Sequence, residues 1–121
     1  MAENLSLNLA KKFLGAEVEV VVDRPLGSRH PQHDLVYQSN YGYVPGTKAP
    51  DGEELDAYYL GVSGPIARAR GKCIAVIHRL DDNDDKLVVV PPGMEISNEE
   101  IWLQTNYQEK FFQSEIIRQL K

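Results

Sequence analysis

Two clusters of acidic side chains are the residues of this sequence best suited to do chemistry. The segment DGEELD, from Asp51 to Asp56, begins with an Asp-Gly turn signal, and DDNDD, from Asp81 to Asp85, lies between two strongly apolar segments. Each cluster holds four of the 18 acidic residues. Carboxylates placed close together raise one another's pKa, so such clusters favour a bound hard cation.

Magnesium is the cation that this pattern suits, because it takes one or two carboxylates together with waters and substrate phosphates. If the two loops meet at one end of the fold, they can hold two or more metal ions. The second loop does not match an EF-hand, since it has neither a central glycine nor a closing glutamate. A solvated turn and an exposed hairpin tip remain the alternatives for the two segments.

Cationic and phenolic residues near these loops are candidates for binding phosphate. Arg29 lies in a loop rich in glycine and proline, and Lys86 directly follows the second acidic loop. Tyr37 and Tyr41 belong to a tyrosine-rich stretch and can donate hydroxyl groups to phosphate oxygens. Arginine offers phosphate a planar fork, and lysine offers it a point charge. Surface charges and packed aromatic rings are the alternatives.

His30 and His33 are also candidate metal ligands, but the favoured interpretation is that they are structural or loop histidines. Pro31 between them prevents a regular helical arrangement. Cys73 is the only cysteine, so the chain forms no internal disulfide, and its apolar surroundings predict a buried thiol.

The overall charge excludes several classes of partner. A formal net charge of −5 disfavours binding to nucleic acid or to anionic lipid. No apolar run of 18 residues is present, and the first residues do not resemble a secretory signal, so we expect a cytoplasmic protein. A length of 121 residues fits a single domain covering residues 1–121.

Short strands dominate the predicted elements. β-branched segments bounded by turn residues predict strands over Glu17–Asp23, Asp56–Val62, Gly71–Leu80 and Lys86–Pro91, and an irregular extended segment over Leu35–Gly46. Ser97 and Glu100 form a capping-box pattern, which predicts a helix from about Asn98 to Leu120 with a break near Asn106. Strands followed by one helix predict a mainly β (α+β) fold, a small antiparallel five-stranded barrel or a strongly curled sheet, packed on a C-terminal helix.

The segment YQSNYGYVPGT followed by DGEELDAYYLG resembles the soluble, Mg²⁺-dependent inorganic pyrophosphatases. That family carries a Tyr-x-x-Asn-Tyr-Gly-Tyr segment, then a D-x-D-x-x-D loop, then an acidic hairpin ending in D-x-K-L. The match runs in order from about Arg29 to Pro91. It implies an OB-like barrel of five strands with flanking helices.

The resemblance also implies a role for individual residues. It implies metal-binding aspartates at Asp51, Asp56, Asp81 and Asp84, where Asp84 is preferred to its neighbour because it sets the spacing to Lys86. It implies that Glu53 orients or deprotonates the attacking water. The phosphate-binding positions that it implies are Arg29, Tyr41 and Lys86, with Tyr37 a weaker match.

The chain departs from the family pattern in several places, as a short and divergent member would. Glu53 stands where the family has aspartate, which moves the carboxylate by about 1.5 Å. A lysine-x-glutamate pair on the first strand has no clear counterpart, since Glu17 and Glu19 have no lysine beside them. For the family's tyrosine-lysine pair on the last helix, Tyr107 and Lys110 are the only candidates.

The function that we expect is hydrolysis of inorganic diphosphate, with Mg²⁺ or Mn²⁺ as the metal and a small phosphate compound as the substrate. Two alternatives stay open. One is a hydrolase of another phosphoanhydride, with His30 and His33 reshaping the pocket, and the other is a non-catalytic relative that binds metal or phosphate. Members of this family commonly form oligomers, so assembly into a homo-oligomer also stays open.

Overall fold

The computed structural model describes residues 5–50, 52–80 and 84–118. Its elements are a short helix, five strands, a second helix and a sixth strand. In chain order they are α1 (Leu5–Lys11), β1 (Glu17–Arg24), β2 (Asn40–Val44), β3 (Leu55–Tyr59), β4 (Arg68–Arg79), β5 (Lys86–Val90), α2 (Asn98–Glu109) and β6 (Ser114–Arg118). The fold is therefore mainly β, and the predicted strands over the four β-branched segments are confirmed.

Five of the strands close into a barrel. They are hydrogen-bonded in the order β1-β2-β3-β5-β4, and pairing of β4 with β1 completes the circle. The predicted five-stranded barrel is confirmed, but the expectation that it is antiparallel throughout is wrong, because β3 and β5 pair in parallel. The chain leaves β3, crosses to β4 on the far side of β5, and returns in a hairpin along the direction of β3.

Apolar residues on the two faces of the barrel wall form two separate cores. On β1, Val18, Val20 and Val22 are buried at every second position, as expected for a strand with one face inside. All five residues of β5 are buried, because its inner face fills the barrel and its outer face packs beneath α2. Cys73 lies in the inner core and is fully buried, as predicted.

The last segment of the chain differs from the expectation. The helix begins as predicted, with Ser97 Oγ accepting a hydrogen bond of 3.1 Å from the Glu100 backbone N–H, but it ends at Glu109. Residues 114–118 form β6, which extends the sheet beside β4. The apolar residues that suggested a longer helix include Ile116, which pairs with Ile77 across this ladder; Leu120 lies outside the described residues.

Two further features complete the described part of the chain. Helix α1, which the sequence pattern did not predict, contributes the fully buried Ala10 to the inner core. Within residues 5–50, 52–80 and 84–118, no helix combines the length and the apolar character needed to span a bilayer.

A glycine on β2 permits the close approach of β1. A Cβ atom at Gly42 would overlap the backbone carbonyl of Val21. We expect Gly42→Ala to lower the free energy of unfolding by more than about 2 kcal/mol, because the obstructing atoms are backbone in a paired strand and cannot move aside. Urea unfolding followed by circular dichroism measures this loss.

Gly64→Ala is the matched control. No atom lies within 4 Å of a Cβ built at Gly64, so its unfolding free energy should change by less than about 1 kcal/mol. Equal stability of the two variants would contradict the proposed steric role of Gly42.

Candidate functional site

A cavity of about 730 Å³ opens at the end of the barrel where β3 and β5 begin and β4 ends. Charged residues of four strands or the loops beside them line it: Asp23, Arg24, Asp34, Asp56, Arg79, Asp84 and Lys86. Rings and apolar groups line other parts of its wall, among them Leu35, Tyr37 and Tyr41. The cavity thus combines several charges of both signs with an aromatic surface.

Lys86 holds two carboxylates together at the centre of this charged wall. Its Nζ atom donates to Asp56 Oδ2 at 2.6 Å and lies 2.8 Å from Asp84 Oδ1. The parallel register pairs Ala57 with Leu87, so Asp56 and Lys86 occupy equivalent positions one residue earlier on their strands. Lys86 is only 1% exposed, so its charge interacts with these carboxylates largely away from solvent.

Tyr41 supports the same carboxylate from β2. Its hydroxyl donates to Asp56 Oδ2 at 2.9 Å. Burial, together with the charge of Asp56, raises the pKa of Tyr41 well above its ordinary value, so the phenol remains a proton donor. The ring of Tyr37 stacks on that of Tyr41 with 5.8 Å between centroids, which places both predicted tyrosines at the cavity.

Arg79 and Glu109 form a second ionic group in the site. Arg79 Nε and Nη2 donate to Glu109 Oε1 and Oε2 at 3.1 and 2.9 Å. Burial on its own would lower the pKa of Arg79, but the hydrogen bonds and charge of Glu109 outweigh it and raise that pKa. The Tyr58 hydroxyl also donates to Glu109 Oε2, at 2.6 Å. The sequence analysis did not identify this pair; its only signal is a charged residue at the end of the apolar strand β4.

The side chains of the last two aspartates in the second acidic loop point in different directions. Asp84 lines the cavity, whereas the side chain of Asp85 is fully buried. Asp85 Oδ1 lies 2.8 Å from His78 Nδ1 and accepts a 3.0 Å hydrogen bond from the Arg79 backbone N–H. Asp85 thereby fixes the end of β4, while Asp84 faces Lys86 and Arg79.

Other predicted site residues lie away from the cavity or outside the described residues. Asp51 and Asp81 fall outside residues 5–50, 52–80 and 84–118. Glu53 is exposed and does not line the cavity. Arg29 also does not line it; its side chain is 73% exposed and its Nη1 lies 3.3 Å from Asp34 Oδ1.

The two candidates from the end of the predicted last helix, Tyr107 on α2 and Lys110 directly after it, do not line the cavity. The hydroxyl of Tyr107 shares a 3.1 Å hydrogen bond with Ser39 Oγ. Tyr107 and Lys110 both line a separate, shallower depression. Phe111 and Phe112, which follow the helix, line the cavity instead.

His30 and His33 do line the cavity, at the loop that precedes β2. Their rings lie 4.5 Å apart. Among the residues that the structure describes, however, no group of three or more His, Cys, Asp or Glu side chains is arranged to hold a metal ion. The two histidines therefore lack a described third ligand.

Asp56 and Asp84 are the described carboxylates best placed to hold a divalent cation. They approach the same ammonium group from different segments, and hard oxygen donors of this kind suit Mg²⁺. Two carboxylates with one lysine leave a negative charge that a cation would balance. These two oxygen donors would therefore suit a divalent cation such as Mg²⁺.

Comparison with known proteins points to one family. The profile of the family described as inorganic pyrophosphatase matches residues 12–117. Soluble inorganic pyrophosphatase 2 of Chlamydomonas reinhardtii is 36% identical over 84 residues, which cover 63% of this chain and 44% of that protein. The inorganic pyrophosphatase of Gluconobacter oxydans is 32% identical over 85 residues, covering 64% and 49%. The chain therefore spans about half the length of these curated relatives.

Solved structures share the fold. An inorganic pyrophosphatase from Ehrlichia chaffeensis superposes with a TM-score of 0.64 at 18% identity, covering 82% of this chain and 83% of that one. One from Neisseria gonorrhoeae gives a TM-score of 0.59 at 25% identity, covering 77% and 72%. These likenesses confirm the barrel fold.

The ammonium group of Lys86 should be needed for stability when no metal is present. We expect Lys86→Met to lower the free energy of unfolding by about 2 kcal/mol in a buffer with chelator, because Asp56 and Asp84 then repel each other without a cation between them. The partial exposure of both carboxylates keeps this loss below that of a fully buried pair.

Lys72→Met on β4 is the control, since Lys72 is exposed and lies outside the cavity. Its unfolding midpoint in urea should match that of the unaltered protein. Similar midpoints for both lysine variants would rule out the bridging role.

Proposed function

Because the chain belongs to the inorganic pyrophosphatase family, we propose that it hydrolyses inorganic diphosphate to two phosphates with Mg²⁺ as its metal and Mn²⁺ as a substitute. The observation that carries the proposal is the convergence of Asp56 and Asp84 on Lys86 in the wall of a cavity. Carboxylates and cations side by side suit a substrate that is itself anionic and arrives with divalent cations.

The proposed metal ligands are Asp56 and Asp84, together with Asp51 and Asp81 from the resemblance. A bound divalent ion supplies charge neutralisation for the phosphates and a lowered pKa for its water. The hydroxyl of Tyr41 fixes the orientation of the Asp56 carboxylate through its 2.9 Å hydrogen bond. This orientation leaves Asp56 Oδ1 as the oxygen that neither Tyr41 nor Lys86 contacts in the described residues.

Lys86, Tyr41 and Tyr37 are the proposed phosphate contacts that line the cavity. The ammonium of Lys86 can bind a phosphate oxygen as charge develops on the leaving group. Arg29 as a phosphate contact and Glu53 as the proton acceptor rest on the resemblance alone, because both side chains lie outside the cavity lining. Their assignment requires that the loops carrying them close over the substrate.

A phosphate-release assay tests the proposed activity directly. We expect the protein to release phosphate from diphosphate only with Mg²⁺ or Mn²⁺, and to lose the activity in EDTA. Asp56→Asn should reduce kcat/KM by at least about 100-fold, because it removes a charged metal ligand that Tyr41 and Lys86 hold in place. Glu95→Gln, which changes an exposed carboxylate outside the cavity lining, should retain full activity.

Turnover by Asp56→Asn at the rate of the unaltered protein would refute the metal-ligand assignment. If calorimetry detects binding of Mg²⁺ and diphosphate but the unaltered protein releases no phosphate, the chain is a non-catalytic binding relative instead.

A second candidate substrate class is favoured by the aromatic part of the wall. The nearly parallel rings of His30 and Tyr37 lie 6.3 Å apart at the cavity, and Phe111 and Phe112 also line it. Inorganic diphosphate has no apolar group to place against these rings. A panel comparing diphosphate with organic diphosphate esters separates the two, since preferential cleavage of an ester with a planar group would favour this candidate.

A further inference from the structure

Arg79 is a second buried cation in the wall of the cavity, at the end of β4. Its side chain is 6% exposed, and it lines the cavity beside Lys86 and Asp84. Asp84 joins the two cations, because Oδ1 lies 2.8 Å from Lys86 Nζ and Oδ2 lies 3.5 Å from Arg79 Nη1. Arg79 therefore belongs to the same charged surface as the proposed metal ligands.

The guanidinium of Arg79 is held on one edge and on one face. Glu109 accepts from Nε and Nη2, and the Phe112 ring centroid lies 3.7 Å from the guanidinium carbon. Glu109 is itself fixed by the hydroxyls of Tyr58 and Ser114, at 2.6 and 3.2 Å. Groups from β3, α2 and the start of β6 thus position one arginine at the cavity.

The contacts of Arg79 are unequal. The two bonds to Glu109 measure 3.1 and 2.9 Å, whereas the contact of Nη1 with Asp84 is 3.5 Å, at the outer limit for a hydrogen bond. The two hydrogen bonds to Glu109 orient the guanidinium, and the longer contact is with Asp84, a candidate metal ligand. Besides the two N–H groups that donate to Glu109, the guanidinium carries N–H groups on Nη1 and Nη2, and this planar arrangement of donors is the one that suits phosphate oxygens.

Stability alone is a weak reason for such a pair. A buried ion pair generally adds little compared with apolar residues of similar volume, because both charges must be taken out of water. The position of Arg79 in the cavity wall beside Lys86 offers another reason for the pair, which is contact of the guanidinium with a ligand. We infer that Arg79 is a phosphate-binding residue of this site and that Glu109 is its positioning residue; this inference rests on the proposed function.

The balance of charge indicates when Arg79 can act. In the network of ion pairs, Asp56, Asp84 and Glu109 carry three negative charges against the two positive charges of Arg79 and Lys86. The other charged residues of the described lining, Asp23, Asp34 and Arg24, add one more negative charge to this balance. An anion is therefore repelled until divalent cations enter. The contribution of Arg79 to binding should appear in the presence of Mg²⁺.

Binding of methylenediphosphonate, a diphosphate analogue that is not hydrolysed, tests the inference by calorimetry in excess Mg²⁺. We expect Arg79→Lys, which keeps the charge but loses the fork, to bind about 10-fold more weakly than the unaltered protein. Because Arg79→Met alone would leave Glu109 buried and unpaired, the double variant Arg79→Met/Glu109→Gln is used to remove both charges together. It should bind about 10- to 100-fold more weakly.

The double variant Arg68→Met/Glu19→Gln is the matched control. It removes an ion pair of 3.1 Å on the exposed wall of the barrel, outside the cavity, and should bind the analogue normally. Circular dichroism of each variant verifies that it is folded. A folded Arg79→Met/Glu109→Gln protein that binds the analogue as tightly as the unaltered protein overturns the inference, and leaves the proposed function standing if diphosphate is still hydrolysed.

A different combination of results would support the inference and refute the proposed hydrolysis. If the unaltered protein binds the analogue, the Arg79 variants bind it weakly, and no phosphate is released from diphosphate, then the inference holds and the proposed hydrolysis fails. If the unaltered protein does not bind the analogue in Mg²⁺, both are overturned.

Discussion

The bridge from Lys86 to Asp56 and Asp84 is the interaction on which the site depends. Two carboxylates from separate segments repel each other when they approach, and the buried ammonium removes that repulsion at distances of 2.6 and 2.8 Å. The parallel pairing of β3 with β5 sets Asp56 beside Lys86, so the register of the barrel fixes the chemistry of its end. The hydroxyl of Tyr41 also donates to Asp56, and as a neutral group it does so without adding a charge to the site.

The second ionic pair links the site to the packing of the helix on the barrel. Glu109 is the last residue of α2, and Arg79 is the last residue of β4. Their fork of hydrogen bonds ties the end of the helix to the mouth of the barrel, where Phe112 covers the guanidinium. The Arg79–Glu109 pair therefore also stabilises the packing of α2 on the barrel. Changes to this pair are expected to alter both stability and the shape of the cavity.

The sequence predicted most of the barrel because its strands carry local signals. β1 is rich in valine and buries every second residue, and β4 and β5 contain the apolar runs CIAVI and LVVV. It did not predict β6, because Ile116 and its neighbours fit a helical spacing equally well and only the open edge of β4 selects a strand. The sequence pattern also did not predict that β3 and β5 pair in parallel, because the choice of neighbouring strand depends on how the barrel closes.

For the site, the sequence identified residues that lie in recognisable motifs, and missed residues that no motif marks. The resemblance named Asp56, Tyr41 and Lys86, which the fold does bring together. Nothing in the local sequence marks Glu109 as buried, because its partner Arg79 lies 30 residues earlier and is brought to it by the fold.

The arrangement of charge in the cavity agrees with the proposed substrate, an anion that arrives with divalent cations. Among the described residues that line it, four carboxylates accompany three cations, and both Lys86 and Arg79 contact a carboxylate. Under the proposed function, the surplus negative charge favours the entry of divalent cations first. Once that charge is balanced, Lys86 and Arg79 are already oriented towards the space that a phosphate would fill. Under the proposed function, electrostatics therefore predicts that the cation binds before the anion.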